Sequence, residues 1–228
     1  GTHACGTKVT TPAALVFDSH GTGPEKVLVL HSWMGDSKSF DAVKPYLDTK
    51  TFTYIFANLR GYGGSKKITG EYTVEEVSAD VLHLADQLGW KRFHVIGHSM
   101  SGMVVQRLII DDARQSACRI KSAVGITPVT ADGFPADEQT RKFLWELIHQ
   151  EDMTGQGVAA MTGQRLSPQW SRVVAQYNLA TSDANAMRGY YKMWIDTDFS
   201  GEAASVRPKT PIRIIGGRQD LPGFSEQK

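Results

Sequence analysis

Cysteine is almost missing from this 228-residue sequence, with only Cys5 and Cys118 present. Two thiols so far apart make neither a disulfide framework nor a CxxC metal or redox site, and they read as isolated. No apolar run approaches the ~20 residues of a membrane-spanning helix, and no charged-then-apolar signal opens the chain. No membrane association is therefore expected, and a cytoplasmic location is the default. The chain does begin at Gly1 rather than Met, which leaves room for a removed leader. An excess of one charge is also lacking: 25 basic residues stand against 24 acidic ones, for a net charge of +1. That balance carries no electrostatic footprint for nucleic acid or an anionic surface. A small-molecule substrate, neutral in charge, is the partner this composition suits, and nothing in it speaks to oligomeric state. Repeats and low-complexity segments are absent as well. What remains is a chain with 41% hydrophobic and 21% charged residues, long enough for one α/β domain carrying an insertion.

Short β-rich runs alternate with helical patterns at Val27–His31, Thr53–Asn58, Phe93–Gly97, Ser122–Ile126 and Ile212–Ile215. Continuous apolar runs of this length are what strands buried on both faces look like, so a mostly parallel sheet flanked by helices is expected. Ala13–Asp18 followed by a turn through Pro24 predicts a preceding strand. Thr73 and Glu76 form a capping-box pattern ahead of the stripe Val77, Val81, Leu84 and Leu88, with Gly89 at the stop. His83 falls off that stripe and reads as a solvated helix position.

Between residues 132 and 200 the strand pattern gives way to helical runs, with Ser167-Pro168 as one helix start. This stretch holds nine of the 21 aromatic residues, an enrichment that fits a helical cap with an apolar underside. The expected organisation is thus a core over 1–131, a helical cap over 132–200, and the rest of the core over 201–228. Trp145, Trp170, Tyr190, Trp194 and the methionines of this stretch are candidate pocket residues.

The most informative segment is Phe93-His94-Val95-Ile96-Gly97-His98-Ser99-Met100-Ser101-Gly102-Met103, an apolar run ending in a small-residue turn and followed by a helical pattern. A nucleophile elbow needs this arrangement, because the turn strains the nucleophilic residue and tolerates only small side chains two positions either side. Gly97 and Ser101 meet that demand. On this motif, together with Leu30-His31-Ser32-Trp33-Met34-Gly35 and Asn58-Leu59-Arg60-Gly61-Tyr62-Gly63-Gly64-Ser65, the chain resembles the serine α/β-hydrolases. Against the family's usual forms, Ser101 replaces the second elbow glycine, Ser32 the glycine after the histidine, and Asn58 an aspartate.

The resemblance implies that Ser99 is the nucleophile and that the Trp33 and Met100 backbone N–H groups form an oxyanion hole. It makes His31 a structural residue of the loop, and puts Ser32 and His98 near the pocket wall. Asp220, in a Gly-rich turn after the last strand, is the expected catalytic acid, with Asp132 as the alternative. In this family the catalytic histidine follows the acid. The seven histidines are His3, His20, His31, His83, His94, His98 and His149, and none lies beyond Asp220. The chain is therefore expected to lack a final strand, helix and histidine, and so to bind better than it turns over. His149 is a poor substitute base, since nothing local orients it.

No metal or cofactor is implied. The leading expectation is hydrolysis of a carboxylic ester of a small or medium apolar substrate through an acyl-enzyme. A serine at the elbow excludes the mechanism that uses an elbow aspartate. Three alternatives stay open: a cofactor-free haloperoxidase, perhydrolase or C–C bond hydrolase; a cofactor-free dioxygenase; and a small-molecule-binding relative without turnover.

Overall fold

The computed structural model describes residues 11–115, 118–149, 155–159, 163, 165–206 and 210–217. Its centre is a six-stranded sheet in the order β1-β3-β2-β4-β5-β6. The strands are β1 (Phe17–His20), β2 (Glu25–Leu30), β3 (Phe52–Ala57), β4 (Phe93–His98), β5 (Ile120–Ile126) and β6 (Ile212–Ile215). All neighbouring pairs are parallel except β1 with β3.

The five apolar runs expected as strands are all present, displaced at their ends by one or two residues. The first strand lies later than expected, at Phe17–His20 instead of Ala13–Asp18. Upstream of it the backbone is held by side chains, with the Ala13 N–H donating to Asp80 and the Val16 N–H to Ser65 Oγ. Those bonds take the donors that a sheet ladder would have used.

Helices α1 (Val74–Gln87) and α2 (Met100–Arg114) cover one face of the sheet. Val77, Val81 and Leu84 of α1 pack with Met103, Val104 and Leu108 of α2 in the main core, against Leu28, Leu30 and Val95. Thr73 caps α1 as expected, its Oγ1 accepting from Glu76 N. The reciprocal half of the capping box does not form. Tyr72 adopts φ +57°, and the Glu71 and Tyr72 N–H groups both donate to the Glu76 carboxylate, 3.0 Å each.

The opposite face carries a smaller cluster of Val27, Val29 and Phe56 with Phe40, Leu47, Tyr54 and Ile96. A ten-residue 3-10 helix, Ser37–Tyr46, follows the β2 loop; the apolar periodicity had not marked it.

Between β5 and β6 the described residues contain helices and no named strand: α3 (Glu138–Leu147), a helical stretch at 155–159, α4 (Pro168–Thr181), α5 (Ala184–Asp196) and α6 (Ser200–Ser205). Ser167 caps α4, with Pro168 in the first turn. The insertion is pinned to the core at buried points. Tyr190 Oη donates to the Arg60 carbonyl, and the Asp183 N–H donates to the Gly61 carbonyl.

Candidate active site

Strand β4 ends at His98, helix α2 begins at Met100, and Ser99 between them adopts φ +53°, ψ −112°. An L-residue gains nothing from that conformation, so the surroundings must impose it. They do so through three backbone bonds. The Ser99 N–H donates to Ile126 O at 2.9 Å, and its carbonyl accepts from Gly102 N at 2.8 Å and Val129 N at 2.9 Å.

The close packing explains the small residues. A Cβ on Gly97 would lie 2.2 Å from the Ser101 carbonyl oxygen, and one on Gly102 would lie 2.2 Å from Pro128 Cβ. Glycine is thus required at 97 and 102, while 101 accepts a serine. The Ser101 hydroxyl is fully buried and donates to the His31 carbonyl. The replacement noted in the sequence therefore ties the turn at Ser99 to the loop after β2.

That loop is held on several sides. His31 is fully buried, and burial above all pushes its pKa down to about 4, so the ring is neutral. Its Nε2 accepts from Leu59 N at 3.0 Å, which leaves the hydrogen on Nδ1 to donate to the Ser32 carbonyl at 2.8 Å. In a trans peptide the C=O and N–H point in opposite directions, so fixing the Ser32 oxygen also fixes the Trp33 N–H. Tyr62 Oη donates to the Trp33 carbonyl at 2.7 Å, and the Trp33 indole donates to Met187 O on α5 at 2.9 Å. The Trp33 N–H bonds no other described residue. Met100 begins α2, and the first N–H groups of a helix have no intrahelical acceptor.

Asn58 has a physical reason to be an amide. Its Oδ1 accepts from Ser37 N at 2.8 Å while its Nδ2 donates to Val16 O at 3.1 Å, and a carboxylate could not make the second bond. Arg60, from the same turn, is buried and makes a two-pronged pair with Asp80, both bonds 2.7 Å. Tyr177 of α4 donates to Asp36 at 2.7 Å. Burial, followed by the Asp36 carboxylate, pushes the Tyr177 pKa well up.

The aromatic residues expected in a pocket are placed differently from one another. Tyr190 is fully buried, its ring stacked on Tyr62 with centroids 5.4 Å apart, and it joins the insertion to the core. Trp194 packs edge-on against Trp33 and Phe134, and its indole N–H has no partner among the described residues. Trp145 is partly buried against Tyr191 and His149. Trp170 lies on the outer side of α4, 43% exposed. Ser32 donates to Met34 O and is partly exposed, as is His98 at the end of β4.

A cavity of about 60 Å³ beside the loop is instead lined by Met34, Leu147, Ile148, Asn178, Ser182 and Met187, with Leu179 and Ala184. Helical periodicity could place these residues on inward faces, but only the packing of α3, α4 and α5 onto Met34 brings them together.

Asp220 lies outside the described residues. Asp132, the alternative acid, is exposed and accepts from its neighbour Thr130. His149 is exposed against Trp145. Among the described residues no group of three His, Cys, Asp or Glu side chains is placed to hold a metal, and no helix is long and apolar enough to cross a membrane.

Comparison with known proteins agrees with this architecture. The bromoperoxidase from Bacillus anthracis superposes with a TM-score of 0.77 at 19% identity, covering 90% of this chain and 77% of its own. The enol-lactonase from Burkholderia xenovorans superposes with a TM-score of 0.74 at 21% identity, covering 92% and 82%. A fluoroacetate dehalogenase of a Burkholderia species is 34% identical over 96 residues, 40% of this chain and 31% of that protein. A 2-heptyl-3-hydroxy-4(1H)-quinolone dioxygenase of Mycobacteroides abscessus is 31% identical over 97 residues, 42% and 36% of the two chains. The matched stretch thus spans about a third of these curated relatives. The model of the alpha/beta hydrolase fold matches residues 26–211. With that match over most of its length, and with the sheet order and the turn at Ser99 described above, the chain belongs to the alpha/beta hydrolase family.

Proposed function

We propose that Ser99 is the nucleophile of a serine hydrolase that cleaves a carboxylic ester of a small or medium apolar substrate. The observation that carries this reading is the strained backbone of Ser99 at the strand-to-helix turn, joined by the Ser101 hydroxyl to a loop whose Trp33 N–H is oriented and bonds no other described residue. Ser99 Oγ attacks the acyl carbon, and the Trp33 and Met100 N–H groups receive the developing oxyanion. The Ser99 proton passes to a histidine oriented by Asp220, a base that none of the seven histidines of this sequence supplies beyond Asp220, and water then releases the acid. The insertion at 132–200 serves as the cap, with the cavity beside Met34 as the start of its pocket. A hydroxyl at the elbow cannot act as the carboxylate nucleophile of a dehalogenase, despite the likeness to one.

A fluorophosphonate probe tests the reading. Labelling mapped to Ser99, lost in Ser99→Ala, with turnover of short-chain aryl esters, is the expected result. An unlabelled Ser99 with no ester turnover would overturn it. The likeness to a quinolone dioxygenase favours one second reading, cofactor-free dioxygenation in the same pocket. Oxygen uptake without ester cleavage would select it.

A further inference from the structure

Side chains alternate along β4, so that Phe93, Val95 and Gly97 face the main core while His94 and Ile96 face the other side of the sheet. On that second face, residues from three strands meet. His94 on β4 stands opposite Ser122 on β5, and Glu25 lies two positions before Val27, the β2 residue paired with His94. His94 Nδ1 is 2.6 Å from Ser122 Oγ, and its Nε2 is 2.9 Å from Glu25 Oε2.

A carboxylate only accepts, so His94 Nε2 carries a hydrogen; with the ring neutral, Nδ1 is a lone pair to which the Ser122 hydroxyl donates, whereas a protonated ring would donate to Ser122 Oγ, and the neutral form is the one the relay uses. Lys121 Nζ donates to both Glu25 oxygens, at 3.0 and 2.9 Å. With His94 it holds the Glu25 carboxyl below its usual range, and therefore ionised. A hydroxyl within reach of a base, with that base oriented by a third group, is the arrangement that activates a serine. All three side chains are partly exposed. Ser99 lies five positions after His94, just past the end of β4, roughly 16 Å along the strand, so this relay is distinct from the elbow.

We propose that Ser122 is a second nucleophile that takes an acyl group from small activated donors such as aryl esters or thioesters. Its Oγ bonds to the donor's carbonyl carbon while its proton passes to His94 Nδ1. The bond from that carbon to the aryl oxygen or thiol sulfur breaks, and the leaving group takes the proton from the imidazolium. Glu25 holds the imidazole throughout. The β4–β5 register shifts between Phe93 and His94, beside Ser122, and the relay includes no pair of N–H groups assigned as an oxyanion hole. Only donors with good leaving groups therefore react, and the acyl group stays on Ser122 in place of turning over.

The test uses the Ser99→Ala protein with p-nitrophenyl acetate, so that the outcome does not depend on the elbow. Mass mapping should find one acetyl group on Ser122, absent in the Ser99→Ala/Ser122→Ala protein. Adding His94→Gln should slow acetylation about 100-fold. Should that variant fail to fold, Glu25→Gln, at a partly exposed position, should slow it roughly tenfold by releasing the ring. Acetyl groups on Lys121 or other lysines with Ser122 unmodified, or an unchanged rate in a folded His94→Gln or Glu25→Gln protein, would overturn the proposal.

Discussion

His31 should make folding stability depend on pH in a window that the geometry defines. In the unfolded chain its imidazole takes up a proton near pH 6.5, whereas burial holds the folded value down to about 4. Protonation would also set an N–H on Nε2 against the Leu59 N–H that now donates to it. The folded state therefore refuses a proton that the unfolded state accepts. His31 leaves stability unaffected above pH 6.5 and lowers it progressively as pH falls from there towards 4. A displacement of about 2.5 pKa units corresponds to about 3 kcal/mol over the whole window, and about 2 kcal/mol of that is already lost at pH 5.

The measurement is urea unfolding of the wild-type and His31→Gln proteins at about pH 7.5, 6 and 5. At pH 7.5 the variant should be the weaker protein, because a flexible amide must lose more rotamer freedom than the rigid ring to accept from Leu59 and donate to Ser32, and it leaves part of the ring's buried space unfilled. By pH 5 the gap should have shrunk by about 2 kcal/mol. A gap that stays constant within about 0.5 kcal/mol would refute the neutral, buried imidazole on which the orientation of Trp33 depends.

Three further outcomes follow from the same geometry. Ser99→Gly should abolish fluorophosphonate labelling yet raise stability by about 1 kcal/mol in thermal unfolding, because glycine adopts φ +53° without strain. Tyr62→Phe leaves the Trp33 carbonyl without its 2.7 Å donor in a buried setting and should cost about 1–3 kcal/mol; an unaltered melting temperature would mean that the bond carries nothing. Asp80→Asn removes one of the two carboxylates facing the buried Arg60 guanidinium, leaving Glu76 at 3.4 Å, and should cost about 2–3 kcal/mol in urea unfolding, whereas the same change at exposed Asp41 should cost under about 1 kcal/mol.

Local patterns made much of the fold legible. Strands buried on both faces declare themselves as uninterrupted apolar runs, and five of them appear within one or two residues of their expected positions. The turn at Ser99 was legible for a related reason. A sharp reversal between a buried strand and a helix admits few residue types, so Gly97, Ser99 and Gly102 carry the constraint in their identities. The 3-10 helix at Ser37–Tyr46 was not legible, since it packs on the sheet through little more than Phe40, with Ser37 and its cap buried beside it, and a single apolar contact sets no periodicity. The reciprocal cap at Glu76 was misread because the Tyr72 backbone turns two N–H groups towards a carboxylate that sequence spacing assigns elsewhere.

What the sequence by itself determined is the class of architecture and the identity of the turn residue, because both depend on interactions between near neighbours along the chain. What only the tertiary structure decided is which distant groups meet. Ser101 reaches the His31 carbonyl 70 residues away, the Trp33 indole reaches Met187 across 154 residues, and Glu25, His94 and Ser122 converge from three strands. No spacing rule encodes those meetings. They arise when strand order and register bring side chains of remote segments to the same face of the sheet.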